Sequence, residues 1–170
     1  MVQVVKKQNA VIQLSLMAVM SALVTVGTLI VQIPNGMGGY FNVGDVMIFV
    51  AALAFNPVVG GVAGGLGSAL ADIMLGFAPF APFTLAVKGF EGLIASLIKN
   101  KKSLYRDIFA VVVAGAEMVG GYFIVEVFLW GLGGALAEVL PNIAQIAIGG
   151  IVGIPVALVL RRRLPEILRD

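Results

Sequence analysis

The sequence has 170 residues, of which 60% are hydrophobic and 12% charged, and its formal net charge is +2. Because a soluble domain carries about 25% charged residues, this composition indicates an integral membrane protein and excludes an ordinary soluble domain. The sequence contains no cysteine and no histidine, which excludes disulfides, thiol catalysis, most zinc and haem sites and the histidine base of serine hydrolases.

The first predicted membrane span covers residues 10–33, an apolar run long enough to cross a bilayer. Lys6 and Lys7 precede it, as in a signal peptide, but the run is longer than a signal sequence needs and no convincing cleavage site follows. We therefore expect the span to be retained. Ala18 and Ala22 share one face of this helix, where small residues let another helix approach closely, in this chain or in a partner.

The next apolar stretch, residues 43–75, would form a helix of roughly 50 Å at 1.5 Å per residue, which is too long for one crossing. Asn56 is a good N-cap and Pro57 a good first helical residue. The sequence therefore predicts a tight turn at these two residues, between a short span over residues 43–55 and a glycine-rich span over residues 57–75.

Three more spans are predicted at residues 82–99, 108–130 and 142–160. A polar segment with several lysines separates the first two, and a glycine-rich loop over residues 131–141 separates the last two. The expected fold is a single all-α integral membrane domain of six transmembrane helices.

The basic residues set the expected orientation. With six spans, the N-terminus, the turn at Asn56, residues 99–107 and the C-terminus share one side, and these segments hold ten of the eleven lysines and arginines. The positive-inside rule places this side in the cytoplasm, so both termini are expected there. Short basic clusters between apolar runs do not form a nucleic-acid-binding face, and no nucleic-acid partner is expected.

Polar residues from five spans converge at the outer level of the membrane. They are Asn42, Asp45, Asp72, Lys88, Glu91, Tyr122, Glu126, Asn142 and Gln145. Ionisable residues inside a membrane are costly and by default indicate a functional site. Lys88 is the only cation in this set and needs a carboxylate partner. The candidates are Asp45, Asp72 and Glu91, which with Lys88 would form a structural ion-pair network, a ligand pocket or both.

Several aromatic residues lie at the same predicted depth. They are Phe41, Phe80, Phe83, Tyr122, Phe123 and Trp130. Such residues either stack on a flat heterocycle or form a belt at the membrane interface, and Trp130 is assigned here to the belt. The sequence contains no P-loop, no HExxH and no GxSxG motif, so the chain is not itself a P-loop ATPase.

Motifs within residues 41–92 resemble those of one membrane family. The motifs are Asn42-Val-Gly-Asp45, Asn56-Pro-Val-Val-Gly-Gly61, Ala71-Asp72, Ala81-Pro-Phe-Thr84 and Lys88-Gly-Phe-Glu91-Gly92. They are similar to the substrate-binding S components of energy-coupling-factor (ECF) vitamin transporters. The nearest branch is the riboflavin type, which also contains hydroxymethylpyrimidine and pyridoxine candidates. The resemblance covers nearly the whole chain and implies six helices with cytoplasmic termini in a prokaryotic plasma membrane.

The resemblance also implies a mechanism without enzymatic activity, cofactor or metal. The converging polar set would bind a vitamin at the outer face, beneath a gate formed by residues 34–40. The whole subunit would then rotate in the bilayer to release the vitamin inside. Ala18 and Ala22 match the small-residue face on which a transmembrane T component docks, and two separate ATPase subunits would supply the energy.

Two other functions remain open. One is a self-sufficient secondary transporter in which Asp72, Glu91 or Glu117 carries protons, although the inner half of the membrane offers nearly no polar pathway. The other is a carboxylate-dependent membrane enzyme, although metal-binding histidines and dense aspartate motifs are absent. The motifs do not name the vitamin, and the acidic surplus around Lys88 favours a neutral or basic ring over a polyanion.

Overall fold

The computed structural model describes residues 2–34 and 39–164. These residues form helices α1 (Val2–Ile30), α2 (Gly44–Ala54), α3 (Pro57–Met74), α4 (Ala81–Ile98) and α5 (Leu104–Arg163). Between α1 and α2, strand β1 (Ile33–Pro34) pairs antiparallel with strand β2 (Tyr40–Phe41). The expected all-α class is confirmed, and α1, α3, α4 and α5 are long and apolar enough to cross a membrane.

The short helix α2 lies at the centre of the molecule. Ile48, Phe49 and Leu53 on α2 are completely buried, and the helix packs against all four of the others. The predicted turn follows it: the Asn56 side chain accepts a hydrogen bond from the Val59 backbone N–H at 3.0 Å and so caps α3. A helix that is surrounded by other helices is buried on every face and can therefore be apolar on every face.

Cations from two other helices bind the last carbonyl groups of α2. Lys99 donates through Nζ to the carbonyl oxygens of Ala52 and Phe55. Arg161 donates through Nε to the Leu53 carbonyl oxygen at 2.7 Å. Four carbonyls at a helix C-terminus lack partners within the helix, and the end carries partial negative charge. The two cations therefore supply both the hydrogen bonds and the charge that this buried helix end requires.

Helix α5 turns back on itself at Gly131. A straight helix of 60 residues would extend about 90 Å, but Gly131 has a φ of 76° and non-helical geometry. Glycine adopts this left-handed conformation without steric cost. A Cβ atom on Gly150 would lie 2.9 Å from Cγ1 of Val111, and a Cβ atom on Gly115 would overlap the Ile146 side chain. The order of these two contacts shows that the two halves pack antiparallel.

The predicted loop over residues 131–141 is wrong. Helical conformation resumes directly after Gly131 and continues through Pro141. One glycine with positive φ is enough to reverse the chain, so no longer loop is required. As a consequence Glu138 is a buried helical residue and not part of an exposed loop.

A buried ion pair joins the two halves of α5 at the end opposite Gly131. The Arg161 guanidinium donates two hydrogen bonds to the Asp107 carboxylate, at 2.6 Å through Nη1 and 3.1 Å through Nη2. Asp107 directly precedes the predicted span over residues 108–130 and Arg161 directly follows the one over residues 142–160, and the sequence pattern does not pair them. This bidentate pairing is strong and directional. It holds the helix ends together and does not form a pathway through the membrane.

Helices α3 and α4 are in backbone contact through facing glycines. A Cβ atom on Gly60 would lie 2.8 Å from the carbonyl oxygen of Gly92, and a Cβ atom on Gly92 would overlap the carbonyl oxygen of Gly60. Small residues at such positions let membrane helices pack closely by van der Waals contact. The contact sets the spacing of the two helices that carry Asp72 and Lys88.

We expect Gly92→Ala to destabilise the protein by about 1–3 kcal/mol, because the methyl group must push two backbones apart. Gly120→Ala is the matched control, since its Cβ atom would meet nothing within 4 Å and alanine favours a helix by about 0.5–1 kcal/mol. Thermal unfolding of the purified variants in detergent measures both effects. Equal unfolding temperatures for the two variants would contradict the close contact.

Candidate functional site

A cavity lies between α1, the β1–β2 hairpin, α3, α4 and both halves of α5. It is lined by Thr28, Gly39, Tyr40, Asn42, Ser68, Asp72, Phe77, Phe80, Thr84, Lys88, Tyr122, Glu126, Trp130, Glu138, Asn142 and Gln145. Its volume, counted for the centres of water-sized molecules, is about 50 Å³. On this measure one water needs about 10–15 Å³, so the cavity has room for a few waters between its side chains.

Most of the predicted site residues line this cavity. They are Asn42, Asp72, Lys88, Tyr122, Glu126, Asn142 and Gln145. Asp45 and Glu91 are not among the lining residues and lie behind Lys88, as its partners. The structure thus separates the predicted set into residues that face the cavity and residues that support it.

Lys88 is held in a buried group of three charges. Its ammonium lies 2.5 Å from Oδ1 of Asp45 on α2 and 3.0 Å from Oε2 of Glu91, three residues further along α4. The three residues are 3%, 1% and 0% exposed. The ammonium also lies 5.7 Å from the centre of the Tyr122 ring, close enough for a cation–π interaction. These contacts anchor the cation at the floor of the cavity.

Asp72, the third candidate partner of Lys88, is bound by a different residue. The Tyr40 hydroxyl donates to Oδ1 of Asp72 at 2.6 Å, and the Tyr40 ring packs against Phe77 with 5.0 Å between ring centres. Burial and the neighbouring Asp72 raise the pKa of the Tyr40 hydroxyl well above its ordinary value, so this group remains a donor at physiological pH. The contact ties the β1–β2 hairpin to the end of α3. In the sequence, Tyr40 stands out only as the last residue of the predicted gate over residues 34–40.

Three aromatic rings form a second wall of the cavity. Phe80 stacks on Trp130 with 5.0 Å between ring centres and on Tyr122 with 6.5 Å. Trp130, assigned from the sequence to an interfacial belt, also lines the cavity. The chain reverses immediately after it, at Gly131, which brings the indole onto Phe80. The Tyr122 hydroxyl donates to Oγ1 of Thr84 at 3.2 Å and fixes the third ring.

The two halves of α5 present a polar surface to the cavity, which we call the acceptor wall. It consists of Glu126, Glu138, Asn142 and Gln145. Gln145 donates through Nε2 to Oδ1 of Asn142 at 3.0 Å. Sequence reasoning missed Glu138 because it placed this residue in the loop after Gly131. The signal that could have identified Glu138 is a turn at a single glycine, Gly131, followed directly by a helical pattern.

The two alanines predicted to dock a partner lie on the outside of α1. Ala18 and Ala22 are exposed, together with Leu14 and Val26, which follow the same four-residue spacing. Residues at this spacing share one helix face, so an apolar stripe with small residues at its centre is uncovered. Of the predicted gate over residues 34–40, residues 35–38 lie outside the described part of the chain.

Comparison with known proteins assigns the family. The family model for the ECF-type riboflavin transporter S component matches residues 8–162. A Lactococcus lactis subsp. cremoris (strain MG1363) protein described as thiamine precursor transporter HmpT is 33% identical over 139 residues, which cover 81% of this chain and 80% of that protein. A Pyrococcus woesei protein described as an uncharacterised protein of the gap 3′ region is 44% identical over 147 residues, 85% of this chain and 99% of that protein.

Proposed function

This chain belongs to the ECF-type riboflavin transporter S component family, and from that premise we propose that it captures a small heterocyclic vitamin or vitamin precursor with high affinity at the outer face of the membrane. Family membership makes it a multi-pass membrane component of a vitamin transporter and not an enzyme. The candidates for the ligand are hydroxymethylpyrimidine, pyridoxine and riboflavin. HmpT, a relative described as a thiamine precursor transporter, supports the first of them.

The observation that carries this proposal is the polar and aromatic cavity inside a bundle of apolar helices. Polar groups buried at this depth are costly unless they have partners, and the cavity lining combines them with stacked rings. Stacking on a flat ring and a few directed hydrogen bonds are what recognition of a heterocycle requires. We assign direct contact with the ligand to the predicted residues that line the cavity, and support of Lys88 to Asp45 and Glu91.

The proposed topology has six crossings with both termini in the cytoplasm of a prokaryotic cell. It counts α2 as a short crossing and the two halves of α5 as separate ones. The reversal at Gly131 and the clustering of ten of the eleven basic residues on one side support it. In this orientation the cavity, beside Trp130 and Gly131, is near the outer face, and the Asp107–Arg161 ion pair is near the inner face.

The proposed partners are a transmembrane T component, which docks on the exposed stripe of α1 around Ala18 and Ala22, and two ATPase subunits. The stripe is apolar, and its small central residues permit close helix packing. The chain has no P-loop of its own, so energy for transport has to come from another subunit. Rotation of the whole S component in the bilayer would then present the cavity to the cytoplasm.

A binding screen with the purified full-length protein tests the proposal. We expect one of hydroxymethylpyrimidine, pyridoxine and riboflavin to bind with nanomolar affinity in isothermal titration calorimetry. Asn142→Ala should weaken that binding by about 1–3 kcal/mol, because it removes a hydrogen-bonding group from the cavity and leaves Gln145 without its acceptor.

Glu117→Gln serves as the control for this screen, since Glu117 is on the same helix as Asn142 but is not among the lining residues. It should retain the affinity of the unsubstituted protein. Absence of binding by all three compounds at micromolar concentration would refute the proposed function.

A further inference from the structure

The acceptor wall of the cavity presents hydrogen-bond acceptors that no described residue uses. Glu126 and Gln145 are only 4% and 5% exposed. Oε2 of Glu126 and Oε1 of Gln145 nevertheless accept no hydrogen bond from any residue in the described ranges. Buried acceptors are rarely left without donors, because losing water without gaining a partner is costly. A donor from outside the chain is therefore the natural partner of this surface.

Several donors around the cavity are already engaged within the protein. The Gln145 amide donates through Nε2 to Asn142, and the Asn142 side chain lies within hydrogen-bonding reach of Glu126. Lys88, the only cation among the lining residues named above, is bound by its two carboxylate partners. The Tyr122 hydroxyl donates to Thr84. What the protein leaves for a ligand at the acceptor wall is thus a set of oxygen acceptors.

The charge of the acceptor wall points in the same direction. The carboxyl groups of Glu126 and Glu138 lie close enough to repel one another. A positively charged or N–H-bearing group between them would relieve that repulsion and form charge-assisted hydrogen bonds. A phosphate or carboxylate group on a ligand would increase the repulsion. Carbonyl oxygens on the edge of a ring would face acceptor oxygens and form no hydrogen bonds with them.

We propose that Glu126 and Gln145 determine specificity by binding the N–H donors of the substrate, and that the substrate is a flat, single-ring nitrogen heterocycle carrying an amino group or a protonated nitrogen. The inference rests on the proposed function, because it names the class of vitamin that the same cavity takes. The ring lies against Phe80, Trp130 and Tyr122, and its amino edge faces the acceptor wall. Phosphorylated forms are discriminated against by charge. The three-ring flavins are discriminated against by size and by the two carbonyl oxygens that flank the single N–H of their pyrimidine edge.

The size of the cavity agrees with a single ring. Its volume of about 50 Å³, counted for the centres of water-sized molecules, holds a few waters, so a single ring requires less expansion of the cavity than a three-ring system does. The stacked rings of Phe80 and Trp130 close it on one side. A three-ring system would have to separate this stack or move the β1–β2 hairpin further.

A matched pair of ligands tests the donor requirement. The probes are 4-amino-5-hydroxymethyl-2-methylpyrimidine and its 4-oxo analogue, in which a carbonyl oxygen replaces the amine and a neighbouring ring nitrogen gains a hydrogen. The phosphate ester of the amine and riboflavin are further probes. We expect the purified protein to bind the amine at least about tenfold more tightly than the oxo analogue, since a hydrogen bond to a charged group is lost. Calorimetric titration measures all four.

Substitution of Glu126 tests the residue itself. Glu126→Gln places a donor where the carboxylate accepted, so the ratio of affinities for the amine and the oxo analogue should fall by about tenfold. Glu117→Gln, on the same helix but outside the cavity lining, should leave the ratio unchanged. If Glu126 has only a structural role, Glu126→Gln should weaken the binding of both ligands equally. That result would overturn the role of Glu126 in specificity.

The outcomes separate this inference from the proposed function. Equal or tighter binding of the oxo analogue, the phosphate ester or riboflavin would overturn the inference while supporting a vitamin-binding subunit. No binding of any of the four probes, or of pyridoxine, would refute the proposed function itself. Tight binding of the amine with a ratio that depends on Glu126 supports both.

Discussion

Replacing Lys88 with methionine is expected to destabilise the protein by about 3–5 kcal/mol, the largest effect on stability that we expect for a single side chain here. Methionine fills a similar volume but leaves the carboxylates of Asp45 and Glu91 buried without their cation. Two carboxylates in one buried site then lack their counter-charge, and their remaining oxygens have no other described partner. Thermal unfolding in detergent should show a midpoint lower by roughly 10 °C.

Two further variants separate a loss of charge pairing from a general effect of the substitution. Lys102→Met changes an exposed lysine and should leave the unfolding midpoint nearly unchanged, because exposed charges contribute little. Lys88→Met combined with Asp45→Asn and Glu91→Gln removes the whole group of charges and should recover part of the lost stability. A Lys88→Met midpoint equal to that of Lys102→Met would show that the three charges do not stabilise the fold.

Replacing Ala22 with phenylalanine is expected to abolish vitamin uptake while leaving vitamin binding intact. Ala22 is exposed on α1 and is not among the residues that line the cavity, so we expect the cavity to keep its shape. A large ring at the centre of a small-residue stripe keeps a partner helix from approaching closely. Uptake of labelled vitamin by cells that also contain the T component and both ATPases measures the first effect, and calorimetry with the purified protein measures the second.

Ala116→Phe provides the control for this prediction, because Ala116 is likewise an exposed alanine on a long apolar helix but lies on α5. It should affect neither uptake nor binding. Loss of binding in Ala22→Phe would show that Ala22 belongs to the internal packing of this subunit. Normal uptake in Ala22→Phe would place the docking surface elsewhere.

The class of the protein and its family follow from signals that are local in the chain. Apolar runs between basic clusters indicate membrane helices whatever their packing, and the Asn56–Pro57 pair caps and starts a helix by its own geometry. The motifs within residues 41–92 lead to the S components, and the family match confirms that assignment. Because burying charge is costly, the polar residues inside the predicted spans indicate a functional site as a set. Their assignment to substrate binding stays a prediction.

Other features depend on contacts between residues far apart in the sequence. Helical periodicity defines which residues share a face, but it does not define how each helix is rotated toward its neighbours. For this reason the choice of Asp45 over Asp72 as a partner of Lys88 and the place of Trp130 against Phe80 required the packed structure. A single glycine that reverses a helix is likewise hard to distinguish in the sequence from the start of a loop. The place of Glu138 in the cavity therefore followed only from the positive φ of Gly131.

The division has one physical reason. Composition and capping act over a few residues, so the apolar character of the helices and the turn at Asn56 are written in the local sequence. Ion pairing, ring stacking and the direction in which acceptors point are set by backbone contacts such as that of Gly60 with Gly92, which join distant segments. Several residues of the cavity could therefore be named from the chain, whereas Glu138 and the acceptors that the cavity leaves for a ligand emerged only from the packed helices.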